Sequence, residues 1–295
     1  MKMGLRLAAL APAFAIGLPA QWLALKLGSP LTRHIPVIFH RYLCFVMGVK
    51  VIREGQLDPR RPLMIVSNHC SWLDIVVLSS LFPVSFIAKS EVGTWPVVRT
   101  LARLQRSIYV ERERRAKTAA VNAAIAERIG KGDAMVLFAE GTTSDGLRVL
   151  PFRSALLGAA QAATADAGEA VLQPLAIRYT HRGGLPVDRA EMPHLAWYGD
   201  MDLAPHLAGI LAGPAITVRV SLPEALPVNG AQNRKETARL LETRVRQAFS
   251  GEARSSRPAE LPLEEPHAGS IPARYPRTER QARAYQVVRL PDERP

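Results

Sequence analysis

From Leu7 to Leu25 the chain runs nineteen residues with Gln21 as the only clearly polar one, and Lys2, Arg6 and Lys26 flank the run. Such a stretch reaches the lower range of length for crossing a bilayer. Any fold of this chain must bury it or give it to lipid. Pro12, Gly17 and Pro19 are expected to kink it. One reading is a cleaved signal peptide, for which Leu18-Pro19-Ala20 makes a poor cleavage site. The other is an anchor that stays, spanning the bilayer or lying in its face. The two cysteines, Cys44 and Cys70, make no disulfide framework and fit a reducing compartment, so the retained anchor is the expectation. From Leu31 to Val49, apolar residues from Ile35 through Ile38, Tyr42 and Phe45 recur at helical spacing, with His34, Arg41 and Lys50 off the stripe. That pattern suits an interfacial amphipathic helix, and equally a helix packed on a core. Residues 1–48 therefore read as a membrane anchor followed by an interfacial helix.

After Gly48 the periodicity changes. Short apolar runs at Val49–Arg53, Pro62–Val66, Val84–Lys89, Ser107–Val110, Ala134–Phe138, Val171–Tyr179 and Ile216–Val220 read as strands. Between them, Ser71–Leu81, Trp95–Gln105, Glu113–Ile129, Ser154–Ala163 and Arg234–Phe249 read as helices, with Gly130 as a stop signal. Gly183 to Pro214 is irregular apart from a short helix near Leu203–Leu211. This alternation predicts an α/β domain over residues 49–250, a layered sheet flanked by helices. From residue 251 to 295, prolines and charges follow without periodicity, as in a disordered tail.

A net charge of +12 points to a polyanionic partner. The tail holds eight arginines against seven acidic residues, so nearly all the excess lies in residues 1–250. Nucleic acid is one candidate, through Arg99, Arg103, Arg106, Arg112, Arg114, Arg115 and Lys117. No stacking platform, zinc spacing or basic heptad accompanies that cluster, so no nucleic-acid partner is expected. An anionic lipid surface or an acidic carrier protein suits it better, and a plain solvated face is the other reading. No P-loop, G-x-S-x-G elbow or H-E-x-x-H pattern is found.

Two stretches carry candidate chemistry. The first is Ser67-Asn68-His69-Cys70-Ser71-Trp72-Leu73-Asp74, where a strand gives way to a helix. A histidine and an aspartate five residues apart can form a base and its orienting carboxylate. Ser71-x-x-Asp74 also matches a capping box, which alone would explain the aspartate. Cys70 is a poor nucleophile for that histidine, because adjacent residues rarely aim at each other. The second stretch is Phe138-Ala139-Glu140-Gly141-Thr142-Thr143-Ser144-Asp145-Gly146, a glycine- and hydroxyl-rich loop after a buried strand. Its backbone N–H groups can face an oxyanion, although an ordinary surface turn reads the same way.

Together these stretches resemble the lysophospholipid acyltransferase family, the enzymes related to 1-acylglycerol-3-phosphate acyltransferase. Its first motif, N-H-x-x-x-x-D, is matched by Asn68, His69 and Asp74. Its second, G-x-x-F-I-x-R, is matched by residues 106–112, with Arg106 in place of glycine and the arginine at Arg112. Its third, F-P-E-G-T-R-S, is matched at Phe138, Glu140, Gly141, Thr142 and Ser144, with Ala139 and Thr143 as departures. Its fourth centres on a proline in an apolar strand, here Pro174. The resemblance covers roughly residues 30–250.

The resemblance implies a glycerolipid acyltransferase-like mixed sheet with an N-terminal membrane-associating helical segment. It implies that His69 is general base on an acceptor hydroxyl, with Asp74 its orienter. Glu140, Gly141 and Thr142 would lie in the acceptor site, with Arg112 adding positive charge. Thr143 stands where the family's arginine is associated with the acceptor phosphate, and a threonine makes no bidentate charged bond. Either Arg112, Arg148, Arg153 or Arg178 replaces it, or the acceptor is not always a phosphate ester. The E-G-T-T-S-D-G form, with Trp197-Tyr198-Gly199-Asp200-Met201, resembles the bacterial branch that includes lyso-ornithine lipid acyltransferases. The expected partners are membrane lipids and an acyl thioester of acyl carrier protein or coenzyme A. No cofactor or metal is expected beyond that co-substrate. The expected location is the bacterial inner membrane, with the domain on the cytoplasmic side. A catalytically silent lipid-binding relative is the alternative, against which the intact His69, Asp74, Glu140 and Gly141 argue.

Overall fold

The structure is a computed structural model, and it describes residues 3–89, 96–110, 115–158, 169–229 and 232–251. The N-terminal run is helical throughout. Helix α1 (Met3–Pro12) passes through a π-helical turn (Ala13–Gly17) into α2 (Leu18–Lys26). Prolines at 12 and 19 remove two N–H donors, and the widened turn between them carries the helix on instead of breaking it. By length and composition Met3–Lys26 could cross a membrane, with 24 residues and a mean hydropathy of 1.5. It nevertheless lies along the domain. Arg6 donates to the carbonyls of Leu211 (2.9 Å) and Gly213 (2.8 Å), and Gln21 to that of Leu104 (2.8 Å). Those two side chains start about 22 Å apart on a helix, so one face is fastened over most of its length. The other face exposes Phe14, Ile16, Trp22 and Leu23.

Helix α3 (Ile35–Met47) ends at Gly48, whose φ of 73° is the left-handed C-cap that glycine favours. The core-packed reading of this helix holds for one face. Leu43, Cys44, Val46 and Met47 are buried, whereas Ile38 and Phe45 are exposed.

The chain then builds a mixed sheet. Its strands are β1 (Val49–Glu54), β2 (Leu63–Ser67), β3 (Val84–Lys89), β4 (Ile108–Val110), β5 (Ala134–Phe138), β6 (Ala170–Arg182), β7 (Leu185–Pro186), β8 (Ile216–Ser221) and β9 (Leu226–Val228). The order is β1-β8-β6-β2-β5-β3-β4, with β7 and β9 on β6. The centre is parallel: β2 pairs β5 and β6, and β3 pairs β4 and β5. Strand β6 turns antiparallel against β8. Strands β2 and β5 read as unbroken apolar runs because both faces are covered. Leu63, Ile65, Val136 and Phe138 pack in one core with Leu73 and Val77 of α4 (Leu73–Leu81). Met64, Val66, Met135 and Leu137 pack in a second core. There they meet Ile125 and Ile129 of α6 (Arg115–Gly130) and Leu241 and Val245 of the last helix (Arg234–Ser250). Helix α5 (Pro96–Leu104) precedes β4, and α7 (Leu203–Ala212) precedes β8, so the last helix is α8.

Several boundaries differ from the sequence reading. Helix α4 begins at Leu73, because Ser71 and Trp72 still belong to the turn. Strand β6 extends to Arg182 through an irregularity between Tyr179 and His181. The short strands β7 and β9 carry too few residues to show periodicity. Ser154–Leu157 is a 3-10 turn, and the rest of the helix expected to Ala163 lies mostly outside the described residues, as does the tail from 252 on. Pro174 lies inside β6, where proline is unusual. Pairing with β9 stops at Leu172 and pairing with β8 starts at Ala176, so Pro174 occupies the interval between them.

Arg106 has φ 63°, which identifies the motif's glycine position as left-handed. Its guanidinium is half-buried against Asp133, which also takes Arg128 at 2.8 Å and Arg33 at 3.0 Å. This member of the proposed basic cluster is therefore tied to the fold, while Arg99 and Arg103 are exposed. Arg112 and Arg114 lie outside the described residues.

Candidate active site

Strands β2 and β5 are parallel neighbours, with Ser67 opposite Phe138. Their carboxyl ends release the two chemistry-bearing stretches side by side, the usual place for a site in such a sheet. Asn68 lets β2 stop there. Its Oδ1 accepts from the N–H of Ile177 (2.8 Å) and its amide donates to the C=O of Ile177 (3.0 Å). A side-chain amide thus satisfies β6 one rung past the last paired residues, Ser67 and Leu175. The main chain is free to turn away.

That turn brings His69 back onto Asp74. The imidazole Nδ1 lies 2.8 Å from Asp74 Oδ2, and the same oxygen accepts from the N–H groups of Cys70 (2.8 Å) and Ser71 (3.0 Å). The other carboxylate oxygen accepts from the Tyr179 hydroxyl at 2.7 Å. The cap contacts of Asp74 and its contact with His69 are therefore one arrangement. The carboxylate that caps α4 is the one that meets His69. As an ionised Asp74 offers only acceptors, Nδ1 carries the hydrogen, and in the neutral ring the lone pair is then on Nε2. The ring stacks on Phe138 with centroids 3.8 Å apart, and among the described residues nothing bonds to Nε2. His69 is 16% exposed and Asp74 fully buried.

Glu140 sits behind the histidine. It is buried, its Oε2 accepts from the N–H of His69 (3.3 Å) and its Oε1 from that of Leu150 (3.0 Å). Burial, reinforced by the nearby Asp74 charge and opposed by these two amides, pushes its carboxyl up to about 8. Cys70 is fully buried, and burial with the Asp74, Glu140 and Asp145 charges holds its thiol far above the range of a reactive thiolate.

The loop after Glu140 is fastened to the histidine turn. Gly141 turns back with φ 74°, its N–H on the C=O of Phe138. Ser144 donates to the C=O of His69 through its N–H (2.8 Å) and its hydroxyl (3.1 Å). Gly146 has φ 73°, where any side chain is strained, and a Cβ there would also displace the end of Met192, 2.0 Å away. Thr142 is exposed and Thr143 half-exposed. The Trp197 N–H donates to the C=O of Cys70 (2.7 Å), which lays residues 192–201 against the same turn. Arg153 bonds through its N–H to the C=O of Ala139, and its side chain is exposed, like that of Arg148. Arg178 bonds the carbonyls of Phe249 and Ser250 and lies over the Phe249 ring, so it is occupied at the end of α8.

The structure thus brings together His69, Asp74, Glu140, Gly141, Thr142 and Arg153. Tyr179 is the site residue that the sequence reading missed. Strand alternation placed it in a buried strand, but nothing local marks its hydroxyl as facing a carboxylate 105 residues away in sequence.

Residues 48–178 match the family model described as Acyltransferase. The lyso-ornithine lipid O-acyltransferase of Brucella abortus is 51% identical over 78% of this chain and 86% of its own length. The chain belongs to the lysophospholipid acyltransferase family. It is an acyltransferase, and lipid metabolism is its setting. The lyso-ornithine lipid O-acyltransferase of Rhizobium meliloti is 44% identical, with 80% of this chain and 82% of that protein covered. The fold matches the crystal structure of the 1-acyl-sn-glycerophosphate acyltransferase PlsC of Thermotoga maritima, with TM-score 0.58 and 20% identity over 86% and 95% of the two chains.

Proposed function

We propose that this acyltransferase moves a fatty acyl group from a thioester to the hydroxyl of lyso-ornithine lipid, with His69 as general base. The observation that carries the mechanism is an imidazole held at Nδ1 by a buried carboxylate and open at Nε2. The acceptor hydroxyl would give its proton to Nε2 as its oxygen bonds the acyl carbon. The C–S bond then breaks, and the proton passes to the departing thiolate. No acyl-enzyme is needed, consistent with the buried thiol of Cys70. Asp74 would stabilise the imidazolium, and Tyr179 would hold Asp74. General-base help of this kind is worth about 10² to 10⁴ in rate.

The choice of acceptor rests on the names of the two relatives reported above and on the E-G-T-T-S-D-G loop. 1-Acylglycerol-3-phosphate is the second reading, favoured by the exposed guanidiniums of Arg148 and Arg153 beside that loop. The excess positive charge suits an acidic carrier protein as donor, with coenzyme A as the other thioester. The fastened apolar helix, exposed along its outer face, supports a protein lying in the bilayer face. Its place would be the cytoplasmic side of a bacterial inner membrane, in keeping with two unpaired cysteines.

A lipid mass profile of cells with and without the gene tests the proposal. Loss of a di-acyl ornithine lipid with build-up of its lyso form is expected. Restoration of that lipid by His69→Ala would overturn the role of His69.

A further inference from the structure

Asp145 is a carboxylate whose charge the fold does not use. It stands between Ser144, bonded twice to the C=O of His69, and Gly146, pressed against Cys70 and Met192. Its Oδ1 accepts from the N–H of Leu147 at 3.1 Å, which shapes the turn. Among the described residues no cation pairs with it, in a protein of net charge +12. Arg148 lies three residues on, exposed, and forms no ion pair with it. The neighbouring Thr143 brings no charge. The half-buried rim beside His69 therefore holds a carboxylate that the exposed guanidiniums of Arg148 and Arg153 leave unpaired, a ready partner for an ammonium.

From this we infer that Asp145 determines acceptor specificity, by receiving the ammonium group of an amine-bearing lyso-lipid. The inference rests on the acyltransferase reading above and gives its acceptor site a charge. Ornithine has two amines and one carboxyl, so a lipid joined to it through any one of these keeps at least one amine. A phosphate monoester brings only negative charge. A charge-assisted bond to a partly desolvated carboxylate separates the two acceptors more sharply than shape does. Oδ2 is the oxygen left for it.

The test uses the purified full-length chain and Asp145→Asn, whose side-chain oxygen can still accept from Leu147. The value of kcat/KM is measured for lyso-ornithine lipid, for the same lipid with its amine acetylated, and for 1-acylglycerol-3-phosphate. The variant is expected to lower kcat/KM for lyso-ornithine lipid about tenfold to a hundredfold. Against the acetylated lipid, parent and variant should differ little. Adding Thr143→Arg to the variant should raise the ratio of phosphate to ornithine acceptor further. An equal fall on all three acceptors would show that Asp145 only supports the loop, and would overturn the inference, as would no change on lyso-ornithine lipid. A parent active on 1-acylglycerol-3-phosphate alone would keep the acyl-transfer mechanism and sink this assignment. A parent active on none of them would sink both.

Discussion

Two buried carboxylates at opposite ends of the sheet collect similar numbers of donors to different effect. Asp133, just before β5, is surrounded by the guanidiniums of Arg33, Arg106 and Arg128. Asp74, past the end of β2, takes two backbone N–H groups, a tyrosine hydroxyl and one imidazole. Arginine surroundings cancel a charge and join segments, here the turn after α2, the start of β4 and α6. Neutral donors fix a carboxylate's position yet leave its charge to be felt. On the proposed mechanism an imidazolium forming at His69 would meet that charge unshared, and this difference would separate a fastening from a catalytic support.

The sharpest way to break the comparison is to neutralise each carboxylate. Asp74→Asn should lower kcat by about 10² to 10⁴, the range of general-base help, in a steady-state assay. Asp133→Asn should leave kcat of the folded protein near the parent value while denaturant unfolding shows a loss of about 1 to 3 kcal/mol, as when a charged hydrogen-bond acceptor is removed from partly exposed donors. Next comes Tyr179→Phe, which removes one neutral donor from Asp74. We expect kcat to fall about tenfold with the acceptor KM little changed, since the hydroxyl acts through Asp74 and not on the acceptor.

A third carboxyl sharpens the contrast through pH. Glu140 has burial and no ion pair among the described residues, and burial pushes its carboxyl from 4.5 up to about 8. Between those values the folded chain binds more protons than the unfolded one, so stability falls as pH rises through that window. The loss should reach on the order of 5 kcal/mol above pH 8, measured by urea unfolding across pH, and Glu140→Gln should abolish the slope. The smallest effect is expected at Arg106→Gly. It exchanges an ion pair for relief of a left-handed backbone, and thermal unfolding should show a net change of about 1 kcal/mol or less.

The sequence showed the strand and helix order well where periodicity ran five residues or more. It placed His69 and Asp74 together because five residues across a strand-to-helix turn is a local distance. Tyr179 and Asn68–Ile177 were hidden because they join segments more than a hundred residues apart, and no local pattern encodes a partner across the sheet. The bond from the N–H of His69 to Glu140 was hidden for a similar reason, since the two lie 71 residues apart. The departures from the motifs were legible as letters but not as geometry. Arg106 became intelligible only once its φ was known, and Asp145 once it was seen to form no ion pair among the described residues.

Asn68 has a consequence of another kind. Where a sheet ends is ordinarily written in the length of the chain, and moving that end takes an insertion or a deletion. Here the last rung is a side chain, so one base change can erase it while every other residue keeps its place in the count. Mutational scans that look for the boundary of this sheet should find it at a single codon.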